Sequence, residues 1–284
     1  MIENLFIGAG AMKAGTTWIT NNLRTHKDIY FTYEKEISYF AYLHAENCKF
    51  VLSDDMRINK TRRYSRNAGN NIENVRKVNI WSVNFLSNPI DDIWYMNNFI
   101  LRDSQKYCAD FSNLYAHLDK KGWEHVKSMA KNLKVIYIMR DPLSRLWSHV
   151  RFQLGIDNKL DLLETWTKEE LYQYAKQEHI WRNARYSKIV ASLQENLSKE
   201  QLHIDFYETI KTNPNQVLNN IEKFLNIEKR TYDLNKLSKK VNTSKVVKKP
   251  DFFDELFYNE LYEEVKELKD LGVELPNNWR VKYE

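Results

Sequence analysis

The stretch that decides the fold is NLFIGAGAMKAGTTW, residues 4–18. Its first half is a short apolar run, which predicts a buried strand, and its second half is rich in small residues and threonines. A glycine-rich turn from a strand into a helix can cradle phosphate, because N–H groups at the helix N-terminus face the ligand. The usual nucleotide loop ends in Gly-Lys-Ser/Thr, whereas here Lys13 precedes Gly15. The loop is therefore a damaged nucleotide site, a turn without a ligand, or a site for a different phosphate.

The rest of the chain alternates apolar runs with amphipathic stretches. Apolar runs predict strands, and helical spacing of apolar residues predicts helices between them. Strands that alternate with helices favour an α/β fold with a parallel sheet, here in one domain over residues 1–284. The polar, basic segment 57–79 lacks periodicity and is expected to be a loop or insertion. The further strands are predicted at 29–33, 106–111, 134–139 and 201–207, and the helices at 16–26, 90–100, 120–133, 141–154, 182–198, 214–226 and 252–272.

Composition narrows the class of partner. The 284 residues carry a net charge of +5, which suits an anionic ligand but is too small to predict nucleic-acid binding. The two cysteines, Cys48 and Cys108, fit neither a disulfide framework nor a metal site. We expect no signal peptide, because the first predicted strand starts almost at Met1, and no uncharged apolar stretch is long enough to span a membrane. We therefore expect a cytoplasmic protein without a membrane span.

A second anion site is predicted at MRDPLSRLWSH, residues 139–149. Arg140 ends a predicted buried strand, where an unpaired charge is costly unless an anion meets it. Ser148 follows two turns into a helix that Asp141 caps, and a guanidinium with a hydroxyl suits a phosphate monoester. The alternative is that Arg140 pairs with a carboxylate such as Asp141. Because ligands bind at the carboxyl ends of parallel strands, both sites together suit an adenosine 3′,5′-bisphosphate better than ATP.

These motifs resemble those of the sulfotransferases that use 3′-phosphoadenosine 5′-phosphosulfate (PAPS). KAGTTW, residues 13–18, is similar to their 5′-phosphosulfate loop, and RDPLSRLWSH to their 3′-phosphate motif. EKEISYF (34–40), DIWYMNNF (92–99) and residues 185–227 resemble segments of the heparan-sulfate and bacterial branch. The resemblance covers most of the chain. It implies a P-loop NTPase-like three-layer sandwich, with a central parallel sheet of about five strands between helices.

The resemblance also implies roles for individual residues. PAPS is the expected donor, no metal is expected, and the acceptor is expected to be a carbohydrate or a hydroxylated small molecule. Lys13 would stabilise the leaving phosphate, and Glu36 would be the general base for an acceptor hydroxyl or amine. The segment 239–250 would close over the donor. The residues expected to bind the donor are Lys13, Ala14, Gly15, Thr16, Thr17, Trp18, Arg140, Ser148 and Lys245, with Lys248 or Lys249 as alternatives to Lys245.

Some positions depart from the pattern of that branch. Phe111 stands where the branch usually has a lysine, and Asn113 where it often has a proline. Asp110 is a weaker candidate on the acceptor side. Glu36 has an alternative interpretation as a surface carboxylate paired with Lys35. Two other functions also stay open, a P-loop nucleotide kinase or NTPase and an inactive relative that binds a nucleotide or polyanion.

Overall fold

The sheet confirms the predicted α/β architecture. The computed structural model describes residues 1–233, 237 and 247–283, and its sheet has five strands, all parallel, in the order β2-β3-β1-β4-β5. Every predicted strand is present. The strands are β1 (Ile2–Gly10), β2 (Ile29–Phe31), β3 (Tyr107–Asp110), β4 (Ala130–Met139) and β5 (Leu202–Phe206).

Helices pack around this sheet. The predicted helix over 120–133 ends at Ser128, because Ala130 already belongs to β4. Within the described part of the chain, no helix is both long enough and apolar enough to cross a membrane. The helices are α1 (Thr16–Leu23), α2 (Tyr39–His44), α3 (Asp54–Asn67), α4 (Ile72–Leu86), α5 (Asp92–Asn97), α6 (Lys120–Ser128), α7 (Pro142–Ile156), α8 (Lys168–Ala175), α9 (Glu178–Trp181), α10 (Tyr186–Asn196), α11 (Tyr207–Thr212), α12 (Pro214–Leu225), α13 (Phe253–Asp270) and α14 (Asn277–Tyr283).

The expectation of a loop over residues 57–79 is wrong, because α3 and most of α4 fill this segment. The inner face of α3 is polar, so the part of the segment that α3 fills shows no apolar periodicity. Its buried side chains are Arg57 and Thr61, and the Arg57 guanidinium donates to the backbone carbonyls of Phe85 and Ser87 at 3.2 and 2.8 Å. A helix whose buried side chain is a hydrogen-bonded arginine does not give the pattern on which sequence reasoning depends.

The centre of the core lies where β1 meets β3. Leu5, Phe6 and Ile7 of β1 are fully buried, and the Phe111 ring packs edge-on against Phe6, with centroids 5.0 Å apart. Gly8 leaves the room that this ring occupies, since a Cβ added at Gly8 would lie 2.4 Å from Phe111 Cγ. The small residues before the loop are thus needed for packing as well as for the turn.

We expect Gly8→Ala to destabilise the fold by about 1–3 kcal/mol, because a methyl group at this position overlaps the Phe111 ring. Gly155→Ala is the matched control. It lies in α7, where an added Cβ meets only Leu160 at 3.7 Å. The control should be neutral or stabilise by up to about 1 kcal/mol. Urea unfolding measures both changes, and equal stability of the two variants would contradict the packing argument.

Candidate active site

The loop between β1 and α1 has the backbone of an anion cradle. Gly15 caps α1 with φ +88°, and Lys13 adopts a left-handed φ of +68°, which is uncommon for a residue other than glycine. A Cβ at Gly15 would lie 2.8 Å from the Tyr207 ring. The N–H groups of Thr16 and Thr17 begin the helix, so neither has an acceptor within it. The positive end of α1 therefore faces the loop with free donors.

The two other loop residues predicted to bind the donor are packed into the protein. Ala14 is fully buried, and its N–H donates to the Ala11 carbonyl at 3.2 Å. Trp18 is also buried, and its indole N–H donates to the Leu237 carbonyl at 3.0 Å. In this conformation the hydrogen-bonding groups of both residues are used by the protein itself.

Lys13 is a cation without a carboxylate partner among the residues that the structure describes. Its Nζ lies over the Phe152 ring of α7, 4.1 Å from the centroid. Burial, followed by the charges of Arg151 and Arg140, lowers the pKa of Lys13 to about 8. A lysine in this setting gains from any anion that neutralises the local excess of positive charge.

Arg140 links the second motif to the first. One guanidinium nitrogen donates to the Lys13 carbonyl at 3.1 Å, and the guanidinium lies 4.8 Å from the centroid of the Tyr207 ring. The Tyr186 hydroxyl accepts the Arg140 N–H at 3.2 Å and lies 3.0 Å from the Arg140 carbonyl, to which it donates. The end of β4 and the phosphate loop are therefore held directly side by side.

Asp141 has partners other than Arg140. Its carboxylate accepts from the Ser144 N–H at 2.8 Å as the cap of α7, and from Lys282 and the Tyr283 hydroxyl at 3.0 Å each. Ser148 lies two turns along the same helix and is buried to nine-tenths. The predicted arginine-to-serine spacing thus corresponds to a strand end followed by two turns of a capped helix.

Glu36 is joined to the phosphate loop by Lys35. Lys35 Nζ lies 3.0 Å from both Glu36 Oε1 and Thr16 Oγ1, and the Asn113 amide donates to the same Glu36 oxygen at 3.0 Å. The Glu36 side chain is 36% exposed, so a second molecule can reach the carboxylate. The pair with Lys35 exists, as the alternative interpretation expected, but it lies at the loop rather than on a remote surface.

Asp110, the weaker acceptor-side candidate, is a buried structural group. Its carboxylate accepts from the Ile37 N–H at 3.2 Å, the Ser112 hydroxyl at 2.7 Å and the Tyr115 hydroxyl at 2.5 Å. Burial raises the pKa of Asp110 to about 6. Phe111 is buried beside it, so the position that carries a lysine in the resembling branch supplies no charge here.

Several parts of the site were not predicted or cannot be placed. Sequence reasoning did not assign Asn113 a role, although its position just beyond β3 lies at the edge of the sheet where ligands bind. Lys245 and residues 239–246 of the predicted closing segment lie outside the described residues. Lys248 and Lys249, its alternatives, pair with Asp251 and Asp254.

In residues 1–233 and 247–283, no three His, Cys, Asp or Glu side chains come together as a set able to hold a metal ion.

Comparisons with known proteins identify the family of the chain. The family described as Sulfotransferase domain matches residues 4–267, so the chain belongs to that family and is a sulfotransferase. Its fold is similar to that of a sulfotransferase from Alicyclobacillus acidocaldarius, with 19% identity, a TM-score of 0.65 and 99% of each chain covered. None of the curated proteins matches the chain by sequence.

Two further solved structures share the fold. The sulfotransferase domain from the curacin biosynthetic pathway has 18% identity and a TM-score of 0.58, over 97% of this chain and 99% of that one. The sulfotransferase domain from the Synechococcus PCC 7002 olefin synthase has 19% identity and a TM-score of 0.55, over 97% of this chain and 96% of that one.

We expect Tyr186→Phe to destabilise the protein by about 1–3 kcal/mol, because it leaves the N–H and carbonyl of Arg140 without their shared partner. Tyr258→Phe is the control, since it removes one exposed hydrogen bond, to the Lys282 carbonyl. The control should change stability by less than about 0.5 kcal/mol. Thermal unfolding at one pH gives both values, and a larger loss for the control would refute this role of Tyr186.

Proposed function

We propose that this sulfotransferase transfers the sulfuryl group of PAPS to a hydroxyl or amine of a carbohydrate or small-molecule acceptor. The proposal rests above all on the 3.1 Å hydrogen bond from the Arg140 guanidinium to the Lys13 carbonyl. This contact puts two cationic sites next to each other at the carboxyl edge of one parallel sheet. A nucleoside with phosphate groups at its 5′ and 3′ positions can reach both sites at once.

The residues at this edge fit such a donor. Lys13 and the first turn of α1 offer an ammonium and free N–H groups to the 5′-phosphosulfate. Arg140 and Ser148 offer a guanidinium and a hydroxyl to the 3′-phosphate. Lys13 has its pKa lowered to about 8 by burial and by Arg151 and Arg140, so an anion bound here relieves repulsion that already exists. We also propose that residues 1–284 form a single domain, because all five strands belong to one sheet.

The chemistry assigned to the chain has two parts. Glu36 accepts the proton of the acceptor hydroxyl or amine as that atom forms its bond to sulfur. The bond between sulfur and the bridging oxygen breaks, and its electron pair stays on the leaving adenosine 3′,5′-bisphosphate. Lys13 and the N–H groups at the start of α1 stabilise the negative charge that grows on that phosphate.

The exposure of Glu36 indicates where the acceptor enters. The Glu36 side chain is 36% exposed, whereas Ala14, Thr16 and Trp18 of the loop are buried. An acceptor that approaches from the exposed side presents its nucleophile to Glu36 and to the sulfur together. We propose a carbohydrate or a hydroxylated small molecule for this position, following the resemblance to the heparan-sulfate and bacterial branch.

We expect adenosine 3′,5′-bisphosphate to bind without Mg²⁺ and more tightly than ADP or ATP, because only the bisphosphate carries the 3′-phosphate that Arg140 would hold. Arg140→Ala should weaken this binding by about 10- to 100-fold, the loss of charge-assisted hydrogen bonds to one phosphate. Isothermal titration calorimetry with each nucleotide measures the affinities. A preference for Mg²⁺-ATP would replace the proposal with a nucleotide kinase or NTPase.

We expect Glu36→Gln to lower kcat by about 10²–10⁴-fold, the usual contribution of a general base. The amide keeps the shape of the side chain but cannot accept the proton, so the affinity for the bisphosphate should change little. Bisphosphate release from PAPS measures turnover, and calorimetry measures binding. Loss of binding in parallel with turnover would assign Glu36 to the fold or the donor site. Normal turnover would show that the base lies elsewhere.

A further inference from the structure

Lys35 lies between the two halves of the proposed reaction. Its Nζ contacts Thr16 Oγ1 on the donor side and Glu36 Oε1 on the acceptor side, at 3.0 Å each. Its backbone is fixed as well, because the Phe111 N–H donates to the Lys35 carbonyl at 3.1 Å. The side chain is only 15% exposed, so water competes weakly for its charge. A desolvated cation therefore links the phosphate loop to the base.

The Lys35 ammonium lies where an in-line transfer of the sulfuryl group would pass. In an in-line displacement, the moving group lies between the loop that holds the donor and the carboxylate that takes the acceptor proton. Lys35 touches one residue on each side of that space. An ammonium has three N–H donors, and the contacts to Thr16 and Glu36 use two of them. The third is available to an oxygen of the group in transit.

The geometry points to Lys35 as a second catalytic lysine, which donates to the sulfuryl and leaving-phosphate oxygens during transfer. This inference rests on the proposed function. Before transfer, the ammonium balances the Glu36 carboxylate. As Glu36 takes the acceptor proton, it becomes neutral, and negative charge moves to the bridging oxygen when the sulfur–oxygen bond breaks. Lys35 already contacts Thr16, so its charge can follow the electron pair without a large movement.

Lys60 gives a matched control for the charge of Lys35. Its side chain is 14% exposed, compared with 15% for Lys35, so the two cations are equally desolvated. Lys60 Nζ donates to the Glu36 backbone carbonyl at 3.2 Å and lies 3.8 Å from a Glu34 carboxylate oxygen. Its described contacts do not include the Glu36 carboxylate or Thr16. A general loss of positive charge near Glu36 should therefore affect both lysine variants alike.

The experiment compares wild type, Lys35→Met, Lys35→Arg and Lys60→Met. Turnover is measured as adenosine 3′,5′-bisphosphate released from PAPS, with the best acceptor from a panel of phenols and monosaccharides, or with water if none is sulfated. Calorimetry gives the affinity of each variant for the bisphosphate, which is a readout independent of turnover. Circular dichroism during thermal unfolding confirms that each variant is folded.

We expect Lys35→Met to lower kcat by about 100-fold, the usual effect of removing one preorganised donor to developing charge. Its affinity for the bisphosphate should stay within about threefold of wild type, because this donor acts mainly during transfer. Lys35→Arg should recover at least about tenfold of the loss, since it keeps a cation at the site. Lys60→Met should keep kcat within about threefold of wild type, because the Lys60 ammonium contacts the Glu36 backbone and Glu34 and lies outside the reaction path.

Three results would overturn the inference while leaving the proposed function intact: a Lys35→Met enzyme with more than about a tenth of wild-type kcat, an equal loss in Lys60→Met, or a loss of bisphosphate affinity that matches the loss of kcat. A wild-type protein that neither binds the bisphosphate nor releases it from PAPS would refute the proposed function, and the role of Lys35 with it. If Lys35→Met does not fold, Lys35→Arg decides the question. A folded Lys35→Arg enzyme that binds the bisphosphate and turns over like wild type would support the inference. A folded Lys35→Arg enzyme without turnover would contradict it.

Discussion

The buried carboxylate of Asp110 is the interaction on which the geometry of this candidate active site depends. Burying an anion costs free energy unless its oxygens accept hydrogen bonds. Four neutral groups donate to the Asp110 carboxylate, namely the Ile37 N–H and three hydroxyl groups. Ile37 belongs to the segment that follows β2, so the carboxylate ties that segment to the end of β3. Glu36 comes immediately before Ile37. The position of an exposed carboxylate is therefore fixed by a bond inside the core.

The rest of the site is an arrangement of cations around this fixed point. Lys13, Lys35 and Arg140 come from three different strand ends, and each makes a hydrogen bond or close contact that limits its movement. Within the part of the chain that the structure describes, Lys35 alone of these three has a carboxylate partner. An edge with more positive than negative charge costs folding free energy, and a polyanionic ligand returns part of that cost when it binds. The excess positive charge favours polyanions in general, and the shape of the site selects among them.

The sequence predicted the sheet well because local patterns determine it. The strands β1 to β4 each contain an apolar run, in β5 apolar and polar residues alternate, and the small residues around Gly8 mark the turn into α1. The helix α3 was not predicted, because Arg57 and Thr61 take the buried positions that apolar residues usually occupy. The start of α4 was missed because its buried Trp81 and Phe85 lie beyond residue 79. In the same way, no local pattern shows that Lys35 reaches Thr16. That contact exists because β2 and β3 pair in register and the backbone of Phe111 holds the lysine in place.

The contact between Asp141 and the last described helix has a consequence for how the molecule is made. Lys282 and Tyr283 lie 141 and 142 residues further along the chain than their partner. During synthesis, both phosphate motifs leave the ribosome long before α14 exists, and Asp141 then lacks two of its donors. The set of donors to Asp141 is complete only when α14 docks. A nascent chain can form its sheet before α14 is made, but the full set of contacts to Asp141, next to Arg140, forms only afterwards.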